Sequence, residues 1–122
     1  MRSDESLNAD RLAGLLDGVQ AKYLSLEVPE FTREMSSAVN NLLPELERFY
    51  LSTKRFSSHS PFALSRLSKL KRMRVSDVDS ERLEFGVGDL PSTLSIIELK
   101  NTAIGDVDFD GRRCRLKIKS AR

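Results

Sequence analysis

Cysteine and histidine, which many metal and catalytic sites use, are almost absent from the sequence. Its 122 residues include one cysteine, Cys114, one histidine, His59, and no tryptophan. A single cysteine cannot form an internal disulfide, which excludes a small secreted domain held together by such bonds. Cys114 also has no second cysteine or histidine at the spacing of a zinc site. We therefore expect no metal and no other cofactor.

An excess of charge of one sign and long apolar runs are also missing. The 20 lysines and arginines are nearly balanced by 18 aspartates and glutamates, which gives a formal net charge of +2. Overall charge therefore does not identify a partner, and only the placement of the charges can. The polar N-terminus is not followed by an apolar run that could form a signal peptide or a membrane span. We expect a cytoplasmic protein with no membrane contact.

The few residues that suggest catalysis or calcium binding do not form a working arrangement. His59 lies in the serine-rich turn 57–60, where neighbouring loop residues do not provide nucleophile–base geometry and no third group orients the imidazole. Residues 106–111 begin like a calcium loop, but Lys117 stands where the EF-hand pattern requires glutamate. We interpret this segment as a turn, and we predict that the chain is not an enzyme.

What the sequence does contain is a set of apolar residues that recurs every 24 positions. The set comprises Leu46, Leu70 and Leu94, then Phe49, Met73 and Ile97, and then Leu51, Val75 and Leu99. Residues 21–26 fit the same leucine-x-x-apolar-x-apolar frame at a spacing of 25. A fixed period of about 20 to 29 residues with this internal pattern is typical of a leucine-rich repeat solenoid. A helical bundle would not hold three separate apolar positions at one spacing.

One segment resembles a single leucine-rich repeat closely. Residues 90–107 look like one leucine-rich repeat of the L-P-x-x-L-x-x-L-x-L-x-x-T-x-I type, with Ile97 at the third leucine position. The resemblance to the leucine-rich repeat family extends over roughly residues 18–119. The asparagine or cysteine usual after the strand is Thr102 here, which leaves the repeat subclass open. The resemblance implies an α/β solenoid with short parallel strands on a concave face and helical or irregular connections on the convex side. Family members mostly bind proteins.

The first 17 residues are predicted to form a helical cap on this solenoid. Asn8 or Asp10 could begin the helix, and Gly18 would end it. The apolar face of the predicted helix comprises Leu12, Leu15 and Leu16. A cap of this kind would cover the open end of a repeat core.

Residues 18–122 are predicted to contain about four to five repeats, the last one degenerate. Thr32 is a possible N-cap of a helix in the first connection, and Ser60–Pro61 is a possible helix start in the second. The third connection, 81–89, contains glycines and is predicted not to form a regular helix. Residues 114–118 alternate like a final strand, which is predicted to align Arg115 with Ile96 and Lys117 with Glu98.

The residues between the buried positions define a predicted concave face that carries more cations than anions. The candidate protein-binding residues on it are Arg48, Tyr50, Arg72, Arg74, Glu98, Lys100, Arg115 and Lys117. Most acidic residues, Asp77 and Asp89 among them, fall instead in turns and returning segments. This distribution favours a protein partner with an acidic surface, because arginine and tyrosine often dominate interface energies.

Two other interpretations of that face, and one alternative function of the whole chain, are open. A nucleic-acid partner is disfavoured because the chain has no strongly basic balance and no recognised binding motif. The face could also be a solvated sheet surface without any partner. As an alternative function, the chain could be a structural or capping fragment of a larger leucine-rich repeat receptor or ubiquitin-ligase adaptor, without a ligand of its own. The predicted function is a protein-interaction module.

Overall fold

The chain is an α/β protein in which short parallel strands lie side by side. The computed structural model describes residues 8–86 and 89–104, together with the backbone of two strands beyond them. The helices are α1 (Ala9–Leu16) and α2 (Arg33–Leu42). The strands are β1 (Tyr23–Phe31), β2 (Arg48–Phe56), β3 (Arg72–Ser76), β4 (Arg82–Phe85), β5 (Ile96–Lys100), β6 (Asp106–Phe109) and β7 (Lys117–Ala121).

Five of the strands form the main sheet, in the order β1-β2-β3-β5-β7, and all of its neighbouring pairs are parallel. Phe49 lies opposite Leu24 on one side and opposite Met73 on the other. Met73 in turn lies opposite Ile97. These are the 25-residue and 24-residue spacings of the sequence, so the predicted alignment of β1, β2, β3 and β5 is confirmed.

The core forms because alternate residues of each strand point to the same side of the sheet. The apolar residues of the repeat are buried, and five of them, Phe49, Leu51, Met73, Val75 and Ile97, are at most 1% exposed. Together with the apolar residues of the helices and connections they form one continuous cluster. A single strand could not bury this face, so each strand depends on its neighbours for burial.

Helix α1 confirms that a helix lies near the start of the chain, as predicted. The side chain of Asn8 accepts a hydrogen bond from the Arg11 backbone N–H, which identifies Asn8 as the N-cap. Leu12 and Leu16 are buried, and α1 packs against α2. The prediction for Leu15 is wrong, because its side chain is 54% exposed. It lies about 100° around the helix from Leu16 and so faces away from α2.

Gly18, after α1, and Thr32, before α2, behave as predicted. Gly18 follows α1 with a φ of 77°, the left-handed conformation in which glycine ends a helix without steric cost. Thr32 accepts a hydrogen bond from the Met35 N–H and begins α2. Residues 1–7 of the predicted cap lie outside the described residues.

The prediction for the second connection is wrong, whereas the described residues of the third connection contain no helix, as predicted. Ser60–Pro61 begins no helix, and residues 61–71 form turns and irregular structure. Phe62 and Leu64 are both fully buried, although in a helix they would point about 200° apart. The third connection, predicted not to form a regular helix, contains β4, which pairs in parallel with β6 in a second, two-stranded sheet. The segment interpreted as a calcium-like turn therefore contributes a strand.

The last strand is shifted relative to its predicted position. We predicted a strand over 114–118 that aligned Arg115 with Ile96, whereas the strand covers Lys117–Ala121 and aligns Lys117 with Ile96. A shift of two residues leaves the alternation of apolar and polar positions unchanged, so the sequence pattern could not fix the register. Arg115 lies outside the described residues.

Candidate binding face

The face of the main sheet opposite the core is called here the open face. Across β1, β2, β3 and β5 its residues form three rows, set by the strand register. From the N-terminal ends of the strands these rows are Tyr23, Arg48, Arg72 and Ile96, then Ser25, Tyr50, Arg74 and Glu98, and then Glu27, Ser52, Ser76 and Lys100. All twelve are exposed or half-buried.

The open face brings together most of the predicted site residues. Those on it are Arg48, Tyr50, Arg72, Arg74, Glu98 and Lys100. Lys117 belongs to the adjacent strand β7, whose backbone pairs Lys117 with Ile96 of the first row and not, as predicted, with Glu98 of the second row. The cations and aromatic residues therefore share one surface, held by the backbone pairing of a parallel sheet.

A tyrosine pair and an arginine form a stacked group at the centre of the open face. The Tyr23 and Tyr50 rings meet edge to face, with centroids 5.1 Å apart and planes at 71°. The Cζ atom of Arg74 lies 4.3 Å from the centroid of the Tyr50 ring, within the range of a cation–π contact. Tyr23 remains 53% exposed. The stack thus holds Arg74 in place and leaves one aromatic ring available to solvent.

Glu98 partly neutralises the arginines on this face. Its carboxylate lies 3.5 Å from Arg72 Nε and 3.4 Å from Arg74 Nη2. Both distances are longer than a well-formed hydrogen bond, so one carboxylate is shared between two guanidinium groups and is held tightly by neither. The sequence placed Glu98 in the same row as Arg74, but it did not reveal that Glu98 also reaches Arg72.

Arg48 occupies a less favourable position. It is exposed and lies directly opposite Arg72 in the first row, and like charges opposite each other on adjacent strands are destabilising. Within the described part of the chain, no carboxylate forms an ion pair with Arg48. The first row therefore presents two neighbouring positive charges beside the exposed ring of Tyr23.

A polar ladder, which the sequence analysis missed, closes the C-terminal end of the open face. The Ser52 hydroxyl donates to Asp77 Oδ2 at 2.6 Å, and Asn101 Nδ2 donates to Asp77 Oδ1 at 2.9 Å. Asp77 and Asn101 have positive φ values of 67° and 53°, which aspartate and asparagine tolerate better than most residues. Their 24-residue separation at strand ends was the signal available in the sequence.

The hydrogen bonds from Ser52 and then Asn101 lower the pKa of Asp77 below its ordinary value of 3.8. A lowered folded-state pKa contributes stability above pH 3.8, and this contribution is lost as the pH falls through the lower folded value. Asp77→Asn should therefore reduce the free energy of unfolding at pH 7, and the difference from wild type should shrink as the pH falls below 3.8. Asparagine keeps the positive φ accessible, but it offers one acceptor oxygen where the carboxylate accepts on two. The part of the difference that depends on pH therefore reports the charge.

Urea unfolding of both proteins between neutral pH and about pH 2 measures this difference. Asp79→Asn is the matched control, because within the described residues the Asp79 side chain forms no hydrogen bond. A constant difference between wild type and Asp77→Asn at all pH values would contradict the role assigned to the ladder.

Across the described residues no cluster of three or more histidine, cysteine, aspartate and glutamate side chains could hold a metal ion. No helix in the same part of the chain has the length and apolar character needed to cross a bilayer. No family model, curated protein or solved structure matches this sequence.

Proposed function

We propose that this chain is a leucine-rich repeat solenoid that acts as a non-catalytic protein-interaction module, with the open face as its contact surface and an acidic protein segment as its partner. The repeat assignment is supported by the 24-residue register of β2, β3 and β5 and by the 25-residue register of β1. The observation that carries the binding function is the stacked group of Tyr23, Tyr50 and Arg74 beside Arg48 and Arg72.

The chemistry of this group suits protein recognition. Tyrosine and arginine are enriched among residues that dominate binding energy, since each combines a large contact area with a polar group. Arg74 is stacked on Tyr50 before any partner arrives, so less side-chain entropy is lost on binding. The twelve open-face residues include four cations and two carboxylates, which favours an anionic partner surface.

Neutralising two arginines tests this function. Capture of the partner by Arg72→Gln/Arg74→Gln should fall by at least about tenfold, because the change removes two positive charges from the centre of the face. Glutamine is used instead of glutamate because glutamate would place three carboxylates side by side around Glu98. The partner would be recovered with the wild-type protein from its native host and then titrated against each variant.

The matched control is Arg11→Gln/Arg66→Gln, which makes the same charge change at two exposed positions outside the open face. It should bind as the wild type does, and circular dichroism should show that both variants remain folded. Equal binding by both double variants would place the contact surface elsewhere and refute the proposed function.

A further inference from the structure

The cations of the open face are not equivalent. Arg72 and Arg74 share the carboxylate of Glu98. Arg48 has no such carboxylate within the described residues, although it lies next to Arg72 in the first row. Because neighbouring strands are about 4.8 Å apart, the positive charges of Arg48 and Arg72 lie close together. The carboxylate of Glu98 contacts Arg72 but not Arg48. An external carboxylate between Arg48 and Arg72 would relieve this repulsion.

Arg74 is poorly placed to receive that external carboxylate. Its guanidinium is stacked on the Tyr50 ring, and its Nε is enclosed without a hydrogen-bond partner in the described part of the chain. Arg48, by contrast, is exposed and lies beside the 53% exposed Tyr23. The accessible pair is therefore Arg48 and Arg72, with an aromatic ring next to it.

We infer that Glu98 competes with an acidic peptide segment of the partner for Arg72. The peptide segment displaces Glu98 from Arg72 and binds between Arg48 and Arg72, with one of its own apolar or aromatic side chains against Tyr23. This inference rests on the proposed function and assigns opposite roles to residues of one surface. Arg48 and Arg72 attract the partner, whereas Glu98 weakens its binding.

The geometry makes this displacement inexpensive. The Glu98 contacts are 3.4 and 3.5 Å long, so little hydrogen-bond energy is lost when the contact to Arg72 opens. Arg74 keeps its cation–π contact with Tyr50 throughout and still holds the other oxygen of Glu98. Glu98 therefore need not become an unpaired charge when the partner's carboxylate arrives.

The inference predicts that Glu98→Gln tightens binding. The probe is a fluorescein-labelled peptide of alternating glutamate and tyrosine, titrated with the full chain and followed by fluorescence anisotropy at low salt. Glu98→Gln should lower its Kd by up to about fivefold, since exposed ion pairs contribute little more than that when removed. The gain should disappear in an Arg72→Gln background, because Arg72 is the group that Glu98 occupies.

The matched control is Glu30→Gln, which makes the same substitution and breaks the 3.1 Å pair between Glu30 and Arg55 outside the three rows. It should change the Kd by less than about twofold. If Glu98→Gln leaves binding unchanged or weaker while Arg48→Gln weakens it, the competitor role is wrong and the proposed function stands. If neither the wild type nor Glu98→Gln binds the peptide, the acidic partner itself is refuted.

Two further measurements separate this mechanism from general attraction of anions. A gain from Glu98→Gln that persists in the Arg72→Gln background would indicate a long-range charge effect and overturn the inference. Labelled single-stranded oligothymidylate provides the second measurement. If Glu98→Gln lowers the Kd of the oligonucleotide by a larger factor than that of the peptide, the result would point to nucleic acid as the partner and would also overturn the inference.

Discussion

Phe62→Ala should lower the free energy of unfolding by about 3–5 kcal/mol. The Phe62 side chain is fully buried. Its ring centroid lies 5.4 Å from that of Phe31, 5.6 Å from that of Phe56 and 5.7 Å from that of Phe85. Alanine would leave a cavity among these rings, and rigid strands on either side limit how far the surroundings can collapse.

A loss of this size is a large share of the stability of a small domain, which is typically about 5–15 kcal/mol. Urea unfolding measures it, with Phe62→Leu as the variant that refills much of the volume and should recover about half of the loss. Phe56→Ala is the control at a less buried position in the same ring cluster, and it should lower the free energy of unfolding by less than Phe62→Ala, because Phe56 is only half-buried. A loss below about 1 kcal/mol for Phe62→Ala would show that the connection packs loosely.

The same ring cluster shows what the sequence could and could not reveal about the fold. Phe31 and Phe56 are 25 residues apart, the spacing of the first repeat, and they lie opposite each other. Phe62 and Phe85 stack with planes at 20°, but their segments have different lengths and conformations. Strand register follows from a strict period, whereas the packing of non-repeating connections depends on tertiary contacts that no local pattern encodes.

The candidate site, like the fold, could be predicted from the sequence only in part. Alternation with a period of two placed Arg48, Arg72 and Arg74 correctly on one face. It could not show that Glu98 would be shared between two arginines, because long side chains reach across rows and their rotamers depend on their neighbours. Asp89 shows the same limit, since it lies in a bend as predicted, but the sequence pattern did not reveal that it is only 5% exposed.

Removing the cation that partners Asp89 should produce the second large loss of stability. Arg33 Nη2 lies 2.8 Å from Asp89 Oδ1, and Arg33 Nη1 donates to the carbonyl oxygens of Ser60 and Phe62 at 3.0 and 3.1 Å. The Gly86 N–H donates to Asp89 Oδ2 at 2.7 Å. Arg33→Met should therefore lower the free energy of unfolding by about 2–4 kcal/mol, because it leaves a buried carboxylate with one donor.

A double-mutant cycle separates this pair from the surrounding contacts. Asp89→Asn keeps an acceptor for the Gly86 N–H and removes the charge, so the coupling between Arg33→Met and Asp89→Asn should be about 1–3 kcal/mol. The exposed pair of Arg55 and Glu30, at 3.1 Å, is the control, and its coupling should stay below about 1 kcal/mol. Equal coupling in the two cycles would mean that burial of Asp89 adds nothing, and that Arg33 stabilises the connection through the carbonyl oxygens alone.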